Sequence, residues 1–175
     1  MTESKMESKE SMYKTVFIEQ RISVVPSEIR EASENMNEFL LSKIRDDLEG
    51  RCCIHGYVKP GSAQILAKSM GQAEHCRFTG DFMFICKVKI SCLLPNPDQE
   101  AVVRIIKVNK IGVIALLVDE NEVQEALRIL IPRDLQVDNS VFDTLQEGAD
   151  IRVKLLRSRF QTRDPFINVV AQYLG

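Results

Sequence analysis

The sequence lacks the long apolar runs, the export signal and the charge excess that mark several common classes of protein. No apolar run approaches the roughly 20 residues that a transmembrane helix needs, so no contact with a membrane is expected. Residues 1–12 are charged and lack the apolar core of a signal peptide, which predicts a disordered leader. The formal net charge is only −2, so any surface that binds nucleic acid must be local.

Signatures of catalysis are also missing. The chain contains only two histidines, and neither a G-x-S-x-G elbow nor an H-E-x-x-H motif occurs. The Gly-Ser pair in KPGSAQ lacks the spacing of a phosphate-binding loop and is typical of a turn. Nucleophilic catalysis needs a base within hydrogen-bond reach of a thiol or hydroxyl, and so few histidines leave few such pairs. The sequence therefore predicts a protein that is not an enzyme and has no cofactor.

Cysteine and histidine are concentrated in RCCIHGYV, residues 51–58. If this segment is a strand, Cys52 and Cys53 point to opposite faces, whereas Cys53 and His55 share one face. A structural zinc takes four ligands, and Cys76 adds a further sulfur but no second paired knuckle. Buried, reduced thiols are therefore favoured, and no metal is predicted. A zinc module or enzyme built on Cys53, His55 and Cys76 is the minor alternative.

The first half of the chain shows strand and helix patterns in turn. Residues 13–25 are β-branched and roughly alternating, which predicts a strand. One helix is predicted from Pro26-Ser27 to Gly50, with Ser27 as its N-cap and Gly50 in the left-handed conformation that ends it. The apolar stripe of this helix consists of Ile29, Ala32, Met36, Leu40, Ile44 and Leu48. Residues 51–94 are rich in strands, and FMFICKVKISCLL predicts one long strand at their end.

The turn-rich stretch LPNPDQE predicts a domain boundary near residue 95. Beyond it, five short strands with mostly tight connections predict a small Greek-key barrel of the OB type. The predicted fold class is α+β. Its domains are residues 13–95 and residues 96–175.

The clearest local charge bias is IRVKLLRSRFQTR, residues 151–163, which holds five basic residues and no acidic one. A basic strand and loop of this kind can follow a phosphate backbone, and Phe160 and Phe166 can stack on bases. A solvated strand face with the aromatics turned into the barrel is equally favoured. Ile114 and Leu116 stand where a stacking ring is expected, so RNA binding should be weak, salt-sensitive and non-specific. The candidate RNA-binding residues are Lys107, Lys110, Arg152, Lys154, Arg157, Arg159, Phe160 and Arg163.

In their order and spacing, these features resemble the stalk subunit of multisubunit DNA-directed RNA polymerases. In eukaryotic RNA polymerase II this is the seventh subunit, and its archaeal counterpart is called E-prime. The resemblance spans residues 13–175. It rests on LEGRC after the helix, Gly56-Tyr57-Val58, FTGDFMFICKVKISCLLP, VVRIIKVNKIGVIALLV, and IRVKL near the final AQYLG. Val103 stands where the family usually has a glycine, and the hairpin of residues 59–79 is shorter than the corresponding hairpin of the family. These departures resemble the versions of the subunit in nucleocytoplasmic large DNA viruses.

The resemblance implies a truncated ribonucleoprotein-like tip domain, followed by an OB domain of the ribosomal S-one type. It implies a non-catalytic subunit that docks near the polymerase clamp, with nascent RNA and a helical fourth-subunit-like protein as partners. It also implies the nucleus, or a cytoplasmic viral factory or virion, as its location. The docking residues that it implies are Val25, Pro26, Ser27, Lys59, Pro60, Gly61 and Ser62. The alternative function is a stand-alone OB-fold RNA-binding protein acting in translation or RNA decay.

Overall fold

The protein is mostly β and consists of one sheet followed by one closed barrel. A computed structural model describes residues 12–32, 34–73, 80–119, 122–135 and 145–174, so most of the predicted leader lies outside the described residues. The elements before the barrel are β1 Tyr13–Val24, α1 Pro26–Glu31, α2 Met36–Leu48, β2 Cys52–Cys53, β3 Gly56–Val58, β4 Gln64–Lys68, β5 Gln72–Ala73 and β6 Phe82–Leu93. The barrel elements are β7 Glu100–Asn109, β8 Gly112–Asp119, β9 Glu122–Pro132, a 3-10 turn at Arg133–Leu135, β10 Asp150–Arg159 and β11 Ile167–Tyr173.

The long strand β6 is the centre of the N-terminal sheet, which confirms the prediction of one continuous strand there. β1 pairs antiparallel with β6 along its whole length, from Tyr13 opposite Leu93 to Val24 opposite Phe82. β3, β4 and β5 pair with β6 as well, and β2 extends the sheet beyond β3. Five buried residues of β6 pack with Leu40 and Ile44 of α2, and they are Phe84, Cys86, Val88, Ile90 and Cys92.

The prediction of a single helix from Pro26 to Gly50 is wrong. Two helices are present, because α1 ends at Glu31 and α2 begins at Met36, directly after Asn35. Asparagine favours helix caps over helix interiors, and Asn35 is the N-cap residue of α2. Gly50 does take the left-handed conformation, with φ of 72°.

Ser27 is not the cap of α1, contrary to the sequence prediction. The N-cap is Val25, and the Glu28 carboxylate accepts a hydrogen bond from the Val25 N–H at 3.1 Å. The same carboxylate lies 2.6 Å from the Lys43 ammonium of α2. The Lys43 hydrogen bond is the main reason that the pKa of Glu28 is lowered, and it links the two helices.

Residues 51–58 form a tight hairpin of β2 and β3 and not the single strand that the sequence analysis considered. Cys52 pairs with Tyr57, and Cys53 pairs with Gly56. The prediction that the two cysteines point to opposite faces is confirmed, because Cys52 packs in the barrel core and Cys53 packs against the core of the sheet. Gly56 has φ of 117°, and a side chain there would collide with the Leu93 carbonyl.

Strands β7 to β11 form a closed five-stranded barrel in the order β10-β11-β9-β8-β7, with β10 pairing back to β7. β7, β8 and β9 follow one another as antiparallel neighbours, and β11 returns between β10 and β9, parallel to β9. This Greek-key arrangement confirms the prediction of an OB-like barrel. The interior is filled by alternating residues of all five strands, including Val103, Ile105, Val113, Leu127, Ile129, Val153, Leu155, Ile167 and Val169. No helix in the described ranges is long and apolar enough to cross a membrane.

The sheet and the barrel meet where β2 faces the loop between β10 and β11. The Cys52 N–H donates to the Asp164 carbonyl at 2.8 Å, and the Arg163 N–H donates to the Cys52 carbonyl at 2.7 Å. Leu93, at the end of β6, is fully buried in the barrel core together with Cys52. The junction therefore includes backbone hydrogen bonds and shared apolar packing.

Candidate nucleic-acid interface

Two neighbouring rows of outward-facing side chains cross all five strands of the barrel, and together we call them the barrel face. In each row, every residue lies opposite the next one in the strand registers. The first row is Lys107, Ile114, Leu130, Val170 and Arg157. The second row is Arg104, Leu116, Arg128, Asn168 and Arg159. The two rows are neighbours on the same side of the pleated strands, so they form one continuous surface.

Two β-bulges turn basic residues onto this surface. Ile151, Val153 and Leu155 of β10 face the core, and simple alternation would point Arg157 and Arg159 inward as well. The register of β10 with β11 shifts between Leu155 and Arg157, so both arginines are exposed instead.

The same device acts on β7. There the register with β8 shifts between Ile105, which is buried, and Lys107, which is exposed. Strict alternation would have placed Lys107 in the core. Both ends of the first row therefore owe their basic residue to a bulge.

The barrel face has an aliphatic centre with cations on both sides. The central strands contribute Leu130, which is 36% exposed, beside the half-buried Ile114 and Leu116. In the part of the chain that the structure describes, Arg157 and Arg159 have no carboxylate partner, and neither has Lys107. Such a surface offers positive charge to a phosphate backbone and an apolar floor to bases.

Among the described residues, Arg104 is the one cation of the two rows that has a carboxylate partner. Its guanidinium makes two hydrogen bonds to the Asp150 carboxylate, at 2.7 Å and 2.9 Å. This paired contact raises the pKa of Arg104 and lowers the pKa of Asp150. Arg104 is therefore less available to a phosphate than the other cations of the barrel face.

Arg128 is the residue that the sequence prediction missed. Its guanidinium lies 3.8 Å from the centre of the Phe166 ring, so cation–π stacking holds its plane in place. Stacking leaves the N–H edges of a guanidinium free to donate to phosphate oxygens. The available signal was the alternation of LRILI, in which Arg128 stands between the buried Leu127 and Ile129.

Arg152 and Lys154 lie outside the barrel face, on the seam between β10 and β7. Arg152 is exposed opposite Val102, and the Lys154 ammonium lies 2.8 Å from the Asp98 carboxylate. The run of residues 151–163 has no acidic residue in sequence, yet the fold brings acidic side chains to it. Lys110 is exposed in the turn between β7 and β8, beyond the end of β7, and belongs to neither row.

Phe160 and Arg163 also lie outside the barrel face. Phe160 is half-buried and packs against the barrel core, as the alternative sequence interpretation proposed for the aromatics. Arg163 has φ of 75° and lies at the junction, where its guanidinium is 3.5 Å from the Asp47 carboxylate of α2. Lys107, Arg157 and Arg159 are thus the sequence candidates that the structure brings together.

The predicted docking residues form two separate exposed corners of the sheet. Val25, Pro26 and Ser27 are exposed at the start of β6, since Val24 pairs with Phe82. The turn at residues 59–62 lies near the other end, where the Lys59 N–H donates to the Ser91 carbonyl. Positions 82 and 91 of an extended strand are about 30 Å apart.

The turn at residues 59–62 is held rigidly. The Glu49 carboxylate accepts hydrogen bonds from the Gly61 N–H at 2.8 Å and from the Ala63 N–H at 3.0 Å. The Ser62 hydroxyl donates to the Lys59 carbonyl at 2.6 Å and accepts from the Ser91 N–H at 3.2 Å. A turn fixed in this way presents its exposed residues in one conformation.

Within the described ranges, no group of three or more metal-binding side chains occurs. Cys53 packs against the sheet core and accepts a hydrogen bond from the His55 N–H at 3.4 Å. Cys76, the third member of the alternative zinc site, lies outside the described residues.

Known proteins give no information about the function of the barrel face. No family model matches the chain, and no curated protein matches it. Among solved structures, the uncharacterized protein MJ1198 from Methanocaldococcus jannaschii is similar at 20% identity. The match covers 46% of this chain and 95% of that chain, with a TM-score of 0.35. A TM-score of this size supports no argument about fold or function.

Proposed function

We propose that the chain is a non-catalytic stalk subunit of a DNA-directed RNA polymerase and that its barrel face holds single-stranded RNA. The observation that supports the RNA contact best is the barrel face itself. It sets Lys107, Arg128, Arg157 and Arg159 around an aliphatic centre, with no carboxylate partner among the described residues. Because the centre has no aromatic ring, binding is weak and independent of sequence.

The stalk assignment is supported by the order of the two parts. A helix-covered sheet ends at Leu93, and an OB-like barrel begins at Glu100. The proposal includes a truncated ribonucleoprotein-like fold for the sheet and an S-one type for the barrel. It also includes a place near the polymerase clamp and a helical fourth-subunit-like partner, in the nucleus or in a viral factory.

The test of the stalk assignment is affinity purification of the tagged chain from its native cells. Large RNA polymerase subunits should co-purify with the unchanged chain. The Lys59→Glu/Pro60→Glu variant should lose them, because it reverses the charge of the rigid turn that we assign to docking. The matched control is Lys68→Glu, another exposed lysine of the same sheet. Absence of polymerase subunits from the unchanged sample would refute the assignment.

A stand-alone RNA-binding protein is the second candidate, because the barrel face combines cations and an apolar floor on a single barrel. This candidate predicts micromolar binding of oligouridylate by the isolated chain, without polymerase subunits in the native purification. Retention of polymerase subunits through stringent washing would exclude it.

A further inference from the structure

Two cysteine side chains meet where the hairpin of β2 and β3 lies against β6. The Sγ atoms of Cys53 on β2 and Cys92 on β6 are 3.8 Å apart. Cys92 is 1% exposed, whereas Cys53 is only half-buried. Cys53 is therefore the more exposed residue of the pair, and Cys92 is fully buried.

The surroundings make Cys53 the more reactive of the two. A hydrogen bond from Cys92 and a weaker one from the His55 N–H stabilise its thiolate and lower the pKa of Cys53 to about 6, against the effect of burial. The same contact raises the pKa of Cys92. Burial raises the pKa of Cys52 to about 11, and it also raises the pKa of Cys86. Among the described cysteines, Cys53 is thus the thiol that is suited to nucleophilic attack.

We propose that Cys53 and Cys92 form a reversible oxidation site that closes to a disulfide with hydrogen peroxide as the oxidant. The Cys53 thiolate attacks one peroxide oxygen, the O–O bond breaks, and the released hydroxide takes a proton from solvent. Cys53 then carries a sulfenic acid. The Cys92 sulfur attacks the Cys53 sulfur, the S–O bond breaks, and the leaving hydroxide takes the Cys92 proton. Two thiols and one peroxide thus give one disulfide and two waters.

The local structure permits the movement that this closure requires. The sulfurs must approach from 3.8 Å to the disulfide bond length of about 2 Å. β2 contains only two residues, and its ladder partner β3 contains three. The neighbouring residue Cys52 donates to and accepts from the loop between β10 and β11. Closure therefore pulls on the strand that joins the sheet to the barrel.

The test is peroxide treatment of the full chain under native conditions, followed by blocking of the remaining thiols and mass spectrometry. The expected product is about 2 Da lighter before blocking, contains a peptide pair joined through Cys53 and Cys92, and reverts with dithiothreitol. Cys53→Ser and Cys92→Ser should each abolish it. Cys86→Ser is the matched control, because Cys86 is a buried cysteine of the same strand as Cys92, and this variant should retain the product.

Two results in the unchanged chain would overturn the proposal, whatever the folding of the variants. One is a peroxide-induced disulfide that joins other cysteines in place of this pair. The other is oxidation of Cys53 to sulfinic acid with no product in which the pair is joined. The site does not depend on RNA or polymerase binding, so its test is separate from theirs.

Discussion

The barrel face predicts how RNA affinity responds to salt. Its cations without a carboxylate partner among the described residues are Lys107, Arg128, Arg157 and Arg159. If each neutralises one phosphate of a single strand, the slope of log affinity against log salt concentration is about −2.8. Affinity for RNA should then fall about 50-fold between 50 and 200 mM salt.

The Arg157→Ala/Arg159→Ala variant removes two of these four contacts. The slope should become about −1.4, and the loss of affinity over the same salt range should shrink to about sevenfold. The matched control is Arg152→Ala, which removes an exposed arginine of the same strand that faces the seam with β7. Its slope should equal that of the unchanged chain.

The assay is fluorescence anisotropy of a labelled oligouridylate 12-mer, titrated with each variant at four salt concentrations. Binding that is undetectable at 50 mM salt would refute the RNA contact. A slope for Arg152→Ala that falls as far as that of the double variant would show that general charge, and not the barrel face, binds RNA. Circular dichroism of all three proteins establishes that they are equally folded.

Three further predictions concern the sheet. Gly56→Ala should lower the free energy of unfolding in urea by about 3 kcal/mol, because the new Cβ would collide with the Leu93 carbonyl. Gly61→Ala should lower it by about 1 kcal/mol, because a Cβ at position 61 would meet open space. Equal losses for the two variants would contradict this. Iodoacetamide alkylates Cys53 only as the thiolate, so the alkylation rate of Cys53 should be lost as pH falls through about 6. A pH midpoint of this rate above about 8 would disprove the lowered pKa. The Cys53–Cys92 disulfide would close a loop between residues 39 apart, which restricts the unfolded chain. Oxidation should therefore raise the free energy of unfolding in urea by up to about 4 kcal/mol. A lower urea midpoint for the oxidised protein would contradict this.

Local periodicity predicted much of the fold, because it reports which side chains are buried. The alternation in FMFICKVKISCLL predicted β6, and the short β-branched segments after residue 95 predicted the barrel. The helix prediction failed for the same reason. The apolar stripe from Ile29 to Leu48 stays in phase across the break at Asn35, so nothing in the stripe marks where α1 ends.

The barrel face was only partly predictable, because its rows depend on bulges. Alternation from the buried Leu155 points Arg157 inward, and a register shift that no residue pattern announces turns it out. Arg128 and Phe166 stack across two strands from distant parts of the sequence, so no local pattern joins them. The partners of Lys154 and Arg163 come from outside the basic run, which is why the run is more basic in sequence than on the folded surface.

The position of β11 between β9 and β10 determines when the barrel can close during translation. The N-terminal sheet has all its strands once residue 93 has been made, whereas the barrel is incomplete until residues 167–173 have left the ribosome. Until then, β9 and β10 each present a row of unpaired backbone groups to solvent. The half-made barrel therefore exposes strand edges that favour aggregation until β11 pairs with them.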